Sequence, residues 1–532
     1  MTLATRGHAL RSGQDHHSIW FSHHPSRRTG EPMGRQAIVP VPSLHHPIAR
    51  RSALAAIASA LGACAVGPDY SQPDLPATAS VSAGPLPART AGAGDGAAAS
   101  QAFLSGRDLP HDWWTLFGSA DLTALVAQAL KANPDLEAAQ ATLRQTQESA
   151  LAARGGMFPT LGAKMSANRI GFSGASIGQS YTEVFNLSTS QLSISYPLDI
   201  FGGTRRQIEA ADAQATYQRF QLEAAYLTIA ANVVVAAIQE ASLRAQLAAT
   251  EEVVAMRRRV LDLVRRQTAL GGAAGADVVS QEAALAQAEA GLPALARQIG
   301  QQRDLINGLV GRFPGENAGP PIALASLRLP GELPVSLPSA LVEQRPDIRS
   351  AAAQLQAATA QVGIAINAML PQISLTALVG SITLGQLFKP GTMIFDYGAS
   401  ISQPLFQGGQ LLHQRRAADA GLEAAAARYR STVLGAFRNV ADALLALQTD
   451  ADAVLAQRAA ERAAAASLSI AEAQYRAGGT SFLTLLNAQT THAQARIALI
   501  QAETNRYADT AALYQALGGG WWNRPPPPAQ ES

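Results

Sequence analysis

With one cysteine, Cys64, in 532 residues, the chain has no internal disulfide, and its stability must rest on packing and hydrogen bonds. It also lacks any run of eighteen uncharged apolar residues, so no transmembrane helix is expected. Seven of the ten histidines lie before residue 47, and the other three, His111, His413 and His492, have no metal-like spacing. There is no second cysteine and no G-x-S-x-G nucleophile motif. An enzyme, a metal or a cofactor is therefore not expected. Nor is a nucleic-acid partner. Residues 1–63 carry seven arginines and two acids, and removing their +5 turns the +2 of the whole chain into about −3 for the rest.

Those first residues read as a leader. Arg50 and Arg51 precede "SALAAIASALGA", a run of signal-peptide length that is too short to span a bilayer. The cysteine sits at the point where cleavage would fall. "LGAC" resembles the lipobox of bacterial lipoproteins, which implies a covalent lipid on Cys64. The competing reading is a buried free cysteine near the end of a helix. Translation from Met33 would give a leader of more usual length. Residues 65–106 are rich in Pro, Ala, Gly and Ser and read as an extended tether.

The remainder reads as an internal duplication. "NPDL" at 133–136 answers "RPDI" at 345–348, so Pro134 and Pro346 are 212 apart, as are Pro159 and Pro371. Downstream the offset is 207, for Pro197 with Pro404, Gly271 with Gly478 and Gly311 with Gly518. Thr204–Leu270 contains neither glycine nor proline, which predicts one helix of roughly 100 Å. Gln410–Ala477 is its counterpart. Val253, Met256, Val260 and Leu263, and likewise Leu444, Leu447, Ala451 and Val454, have coiled-coil spacing.

Ahead of each long helix the period changes to two. "LSISYP", "QISLTAL" and "FDYGASIS" alternate apolar with polar residues, as half-buried strands do, and predict strands around 160–170, 185–198, 372–383 and 393–405. Four strands cannot close a membrane barrel, whose minimum is about eight. If they cross a bilayer, several chains must pool them. A soluble sandwich strand looks the same locally.

"CAVGPDY", "WWTLFG" at 113–118, "RPDI", "VGIAINAMLPQISL" at 362–375, "QPLFQGG" at 403–409 and "YRAGGTSFLTLLNAQ" at 475–489 together resemble the outer-membrane factor (TolC-like) family, specifically the lipoprotein branch of RND-type (NodT-like) efflux systems. The resemblance implies an α+β membrane protein. Three chains would form a 12-stranded outer-membrane β-barrel, four strands from each, continued by a long periplasmic α-helical barrel. It implies a homotrimer in outer-membrane lipid that passively conducts small molecules from a periplasmic adaptor and an inner-membrane RND transporter. A periplasmic coiled-coil lipoprotein and the conduit of a type I secretion system are the alternatives. The expected divisions are a leader at 1–63, a lipid-anchored tether at 64–106, repeats at 107–318 and 319–518, and a flexible Pro-rich tail at 519–532.

The turns holding Gly271 and Gly272, and Gly478 and Gly479, lie at the far end of the long helices from the strands and form the expected tunnel mouth. Family channels close it with carboxylates, which puts Asp277 at the gate, with Thr484 as its equivalent and Asn487 where relatives carry an acid. Asp277 could equally cap a helix start. Grooves near 265–285 and 470–490 are the candidate adaptor surface.

Overall fold

The computed structural model describes residues 65–74, 84–173, 175, 178, 180–316, 319–335, 338–384 and 392–524. The leader and Cys64 lie outside the described residues. In chain order the elements are β1 (Ala102–Ser105), α1 (Ala120–Ala132), α2 (Pro134–Gly155), β2 (Thr160–Ser173), β3 (Thr182–Leu198), α3 (Gly203–Ala269) and α4 (Gly275–Leu309). They continue with β4 (Glu332–Val335), α5 (Pro338–Gln344), α6 (Pro346–Asn367), β5 (Gln372–Leu384), β6 (Met393–Ser402), α7 (Gln410–Arg476) and α8 (Phe482–Ala516). Corresponding helices have equal lengths: 22 residues in α2 and α6, 67 in α3 and α7, 35 in α4 and α8.

The proline motifs mark where these helices meet. Pro134 and Pro346 occupy the first turns of α2 and α6, where a missing N–H costs nothing. The residue before each proline ties that start to the end of a return helix. Asn133 Nδ2 donates to the Leu309 carbonyl at 2.9 Å, and Arg345 donates to the Ala516 carbonyl at 2.7 Å. The contact is completed by Gly311 and Gly518, both at positive φ, whose α-carbons abut the Ala132 and Gln344 carbonyls.

Strands β2, β3, β5 and β6 form one antiparallel sheet in that order. Its register sorts side chains by face, because directly paired residues point the same way. Leu161, Ile194, Ala377 and Tyr397 form one row, and Ala163, Leu192, Val379 and Phe395 the next row on that face. The opposite face carries rows such as Thr160, Ser195, Thr376 and Gly398. The apolar face is uncovered in the single chain: Leu161, Phe395 and Tyr397 are all at least 70% exposed. The outer edges of β2 and β6 have no partner strand among the described residues.

The main core lies at the waist of the helices. Trp113 and Phe117 pack edge-on or tilted against Tyr507 and Tyr514, over Val126, Val233, Ile238, Ile306 and Leu447. "HDWWTLFG" is thus an aromatic packing segment. By length and composition α3 has one stretch able to cross a membrane. Half of that stretch is buried within the protein, and Val233, Val234 and Ile238 line the waist core.

The tether expectation needs correction for residues 84–106. Strand β1 pairs in parallel with β4, and Gln101 is fully buried, donating to the Pro330 carbonyl. Arg506 on α8, with no exposed surface, donates to the carbonyls of Ala97 and Ala99, each at 2.7 Å, and to Thr90 Oγ1 at 3.0 Å. These residues are a clasp on the waist. The tail expectation is also too broad. Gly519–Arg524 is packed, with Trp521 Nε1 donating to the Gln344 carbonyl and Trp522 Nε1 to Asp108.

Behind the clasp, Asp450 has its carboxyl pushed up to about 7 by burial and by the neighbouring Asp509 carboxyl, against the opposing pull of Arg506. An acid whose folded pKa lies above its unfolded value of 3.8 holds more protons when folded, so it costs stability as pH rises from about 4 to 7. Asp450→Asn is therefore expected to match the native chain near pH 4. At pH 8 it should be more stable by about 1–2 kcal/mol, allowing for solvent screening. Thermal melts across that range check this, and a native advantage at pH 8 would contradict it.

Candidate functional site

Each hairpin of long helices closes by the same chemistry. Gly271 and Gly478 adopt φ of 79° and 74°, a left-handed conformation that glycine takes without strain. One residue on, Gly272 N donates to the Gln267 carbonyl and Gly479 N to the Gln474 carbonyl, each at 2.8 Å. Each bond satisfies a carbonyl that the helix end leaves free. The four glycines singled out from the sequence form the two turns.

The return helices start differently. In α8 the cap is Ser481, whose hydroxyl accepts from Thr484 N at 3.3 Å. In α4 the capping position is Ala274, which has no side-chain acceptor. Three residues on, Asp277 reaches back, and its Oδ2 accepts from Ala274 N at 3.3 Å. The carboxylate also sits at the positive end of the helix dipole. Asp277 therefore caps α4. Thr484 and Asn487 are exposed, and no hydrogen bond among the described residues joins either to Asp277.

A further group, not singled out from the sequence, joins the hairpins. Tyr475, near the end of α7, is 8% exposed and donates its hydroxyl to Gln267 Oε1 on α3 at 2.8 Å. Its ring meets Phe482 edge-on, over a small apolar cluster containing Val260, Val264, Leu468 and Leu485. Burial, and secondarily the Asp277 charge, raise the Tyr475 pKa, keeping the phenol a neutral donor. Gln267 and Tyr475 thus join the two hairpins close to their turns, within the electrostatic reach of Asp277. Only the place of Tyr475 in "YRAGG", just before the turn, hints at this.

This geometry comprises an amphipathic sheet at one end, helices of about 100 Å and two linked turns at the other. Residues 125–312 and 337–519 match the outer membrane efflux protein family, and the chain belongs to that family. It is 30% identical over 469 residues to a probable efflux pump outer membrane protein, TtgC, of Pseudomonas putida, covering 88% of this chain and 94% of the relative. Among solved structures it resembles the outer-membrane channel OprN, with TM-score 0.77, 28% identity, and coverage of 86% of this chain and all of that one. It also resembles the open state of the MtrE outer membrane channel of Neisseria gonorrhoeae, with TM-score 0.71, 28% identity, and coverage of 86% and 98%.

Proposed function

We propose that this outer-membrane efflux protein works as a homotrimer whose twelve strands close one β-barrel, continued by a helical barrel through the periplasm. The observation carrying this reading is the four-stranded sheet with one exposed apolar face and two open edges. In lipid an unpaired edge costs several kcal/mol per backbone group, so the strands must be pooled with those of other chains. A purely periplasmic coiled-coil lipoprotein has no need of such a sheet. The equal helix lengths in the two halves support descent from a duplicated unit.

The channel passively conducts small molecules delivered by a periplasmic adaptor and an inner-membrane RND transporter, and itself catalyses nothing. The turns near 265–285 and 470–490 are the proposed docking level. The relatives' names, an efflux pump component and outer-membrane channels, support this reading over a type I secretion conduit.

Lipidation of Cys64 fits the position of its neighbours Val66 to Asp69. Val66 N donates to the Phe201 carbonyl, and Arg206 donates to the Val66 carbonyl and to Asp69, where β3 gives way to α3. The first described residues are therefore held at the membrane end of the helices. Intact mass of the purified mature chain should show a diacylglyceryl group and N-acylation on Cys64. An unmodified cysteine would overturn the anchor.

The gate is assigned to Asp277 and the Tyr475–Gln267 link, with Thr484 and Asn487 on the adjoining surface. Clustered carboxylates around a threefold axis would attract cations and constrict the mouth. In planar bilayers the purified native protein is expected to show small, infrequent openings. Asp277→Ala should open several-fold more often or wider. Openings unaffected by the mutation would keep the channel and discard the gate, and no openings from folded oligomers would discard the channel.

A further inference from the structure

Roughly 18 Å from the turns, twelve residues before the end of α3, Arg257 is 8% exposed yet has no carboxylate partner among the described residues. Its guanidinium donates to the Ala284 carbonyl on α4 and, at 3.4 Å, to Thr490 Oγ1 on α8, while its Nε has no hydrogen-bond partner. Of the other buried arginines, Arg206 meets Asp69 and Glu209 and Arg345 meets Asp347, while Arg506 forms no direct ion pair but has the Asp450 carboxyl acting on it. Burial alone, with no nearby acid opposing it, makes the charged form of Arg257 less favourable than usual. A buried charge is normally paired, because leaving it alone costs several kcal/mol.

Arg257 lines a cavity of about 180 Å³ between α3, α4 and α8. Thr250, Gln287, Thr490, Gln494 and Arg496 also line it, and no acidic side chain does. Arg496 has its own partner, Glu252, at 2.5 Å. The lining is rich in donors that suit an oxyanion and holds apolar alanine and valine surface beside them. We infer that this groove is an oxyanion-binding site in which Arg257 receives a carboxylate or a similar anion. The anion is either free in solution or carried on an acidic side chain of a neighbouring copy of this chain. The neighbouring-copy source rests on the oligomer proposed above.

The test uses the purified full-length oligomer in detergent, native and Arg257→Met, melted in low-anion buffer with added inorganic phosphate or acetate at millimolar concentration. Without an occupant, removing an unpaired buried charge raises stability, so Arg257→Met should then melt at or above the native temperature. Phosphate or acetate should raise the native melting temperature by several degrees, saturably, and leave Arg257→Met unmoved. That outcome establishes a free anion. If a neighbouring copy supplies the carboxylate, added anion changes nothing, and Arg257→Met dissociates on native gels where the native protein stays oligomeric. An intact Arg257→Met oligomer whose response to anion equals that of the native chain overturns the site. Such a result would not touch the channel itself, because the conductance experiment reads that separately.

Discussion

Arg506→Met is expected to release the clasp formed by residues 84–106 and to destabilise the protein by about 2–4 kcal/mol, since each buried carbonyl left without a donor costs about 1–3 kcal/mol. The native guanidinium serves Ala97, Ala99 and Thr90 at 2.7–3.0 Å and has no exposed surface. Methionine fills most of the volume but leaves the Ala97 and Ala99 carbonyls without their donor, while Thr90 Oγ1 keeps the Gln101 N–H, and Asp450 loses its nearby positive charge. Limited trypsin digestion reads the local effect. Arg89 is held by Ser100 in the clasp, so cleavage after Arg89 should become fast in the variant and stay slow in the native chain. Equal cleavage rates would show that the clasp stands without Arg506. Arg506→Lys should recover only part of the protection, because one ammonium cannot span acceptors arranged for a planar fork.

Gly311→Val is expected to cost more than about 3 kcal/mol and to lower the melting temperature of the oligomer by several degrees. Gly311 has φ of 75°, where a β-branched residue is strained, and a Cβ there would lie 2.2 Å from the Ala132 carbonyl oxygen. Both partners are backbone, so relief requires the ends of α1 and α4 to separate. That separation breaks the bond from Asn133 to the Leu309 carbonyl as well. Gly315→Val, four residues away with nothing within 4 Å of its Cβ position, is the control and should stay within about 0.5 kcal/mol of the native chain. Similar losses from both substitutions would remove the steric explanation.

Much of the architecture was legible because its signals are local and periodic. Proline-free stretches, the first without glycine and the second with only Gly421 and Gly435, marked α3 and α7 to within a residue at each end, since no proline interrupts the hydrogen-bond ladder. Alternating residues marked all four long strands, with errors of only a few residues at the ends. Gly271 and Gly478 could be read as turns because few other residues take that conformation. The clasp was not legible. Its Ala, Gly and Pro composition is the same whether the segment hangs free or is held, and its main holder lies more than 400 residues downstream. At the turns, Asp277 could be read as an acid in a first turn, but its work as a cap depends on Ala274 having no side-chain acceptor. The link from Tyr475 to Gln267 joins residues 208 positions apart and carries no periodic signal.

By itself the sequence determined where the two long helices and the four long strands begin, and which face of those strands is apolar. Backbone conformation and burial periodicity are settled over a few neighbouring residues. Only the tertiary structure decided what those elements touch: the order of strands in the sheet, the fastening of residues 84–106 by Arg506, and the isolation of Arg257 in its groove. Those outcomes depend on charges and hydrogen-bond donors meeting partners from distant parts of the chain. Their energy belongs to the meeting and to neither segment alone.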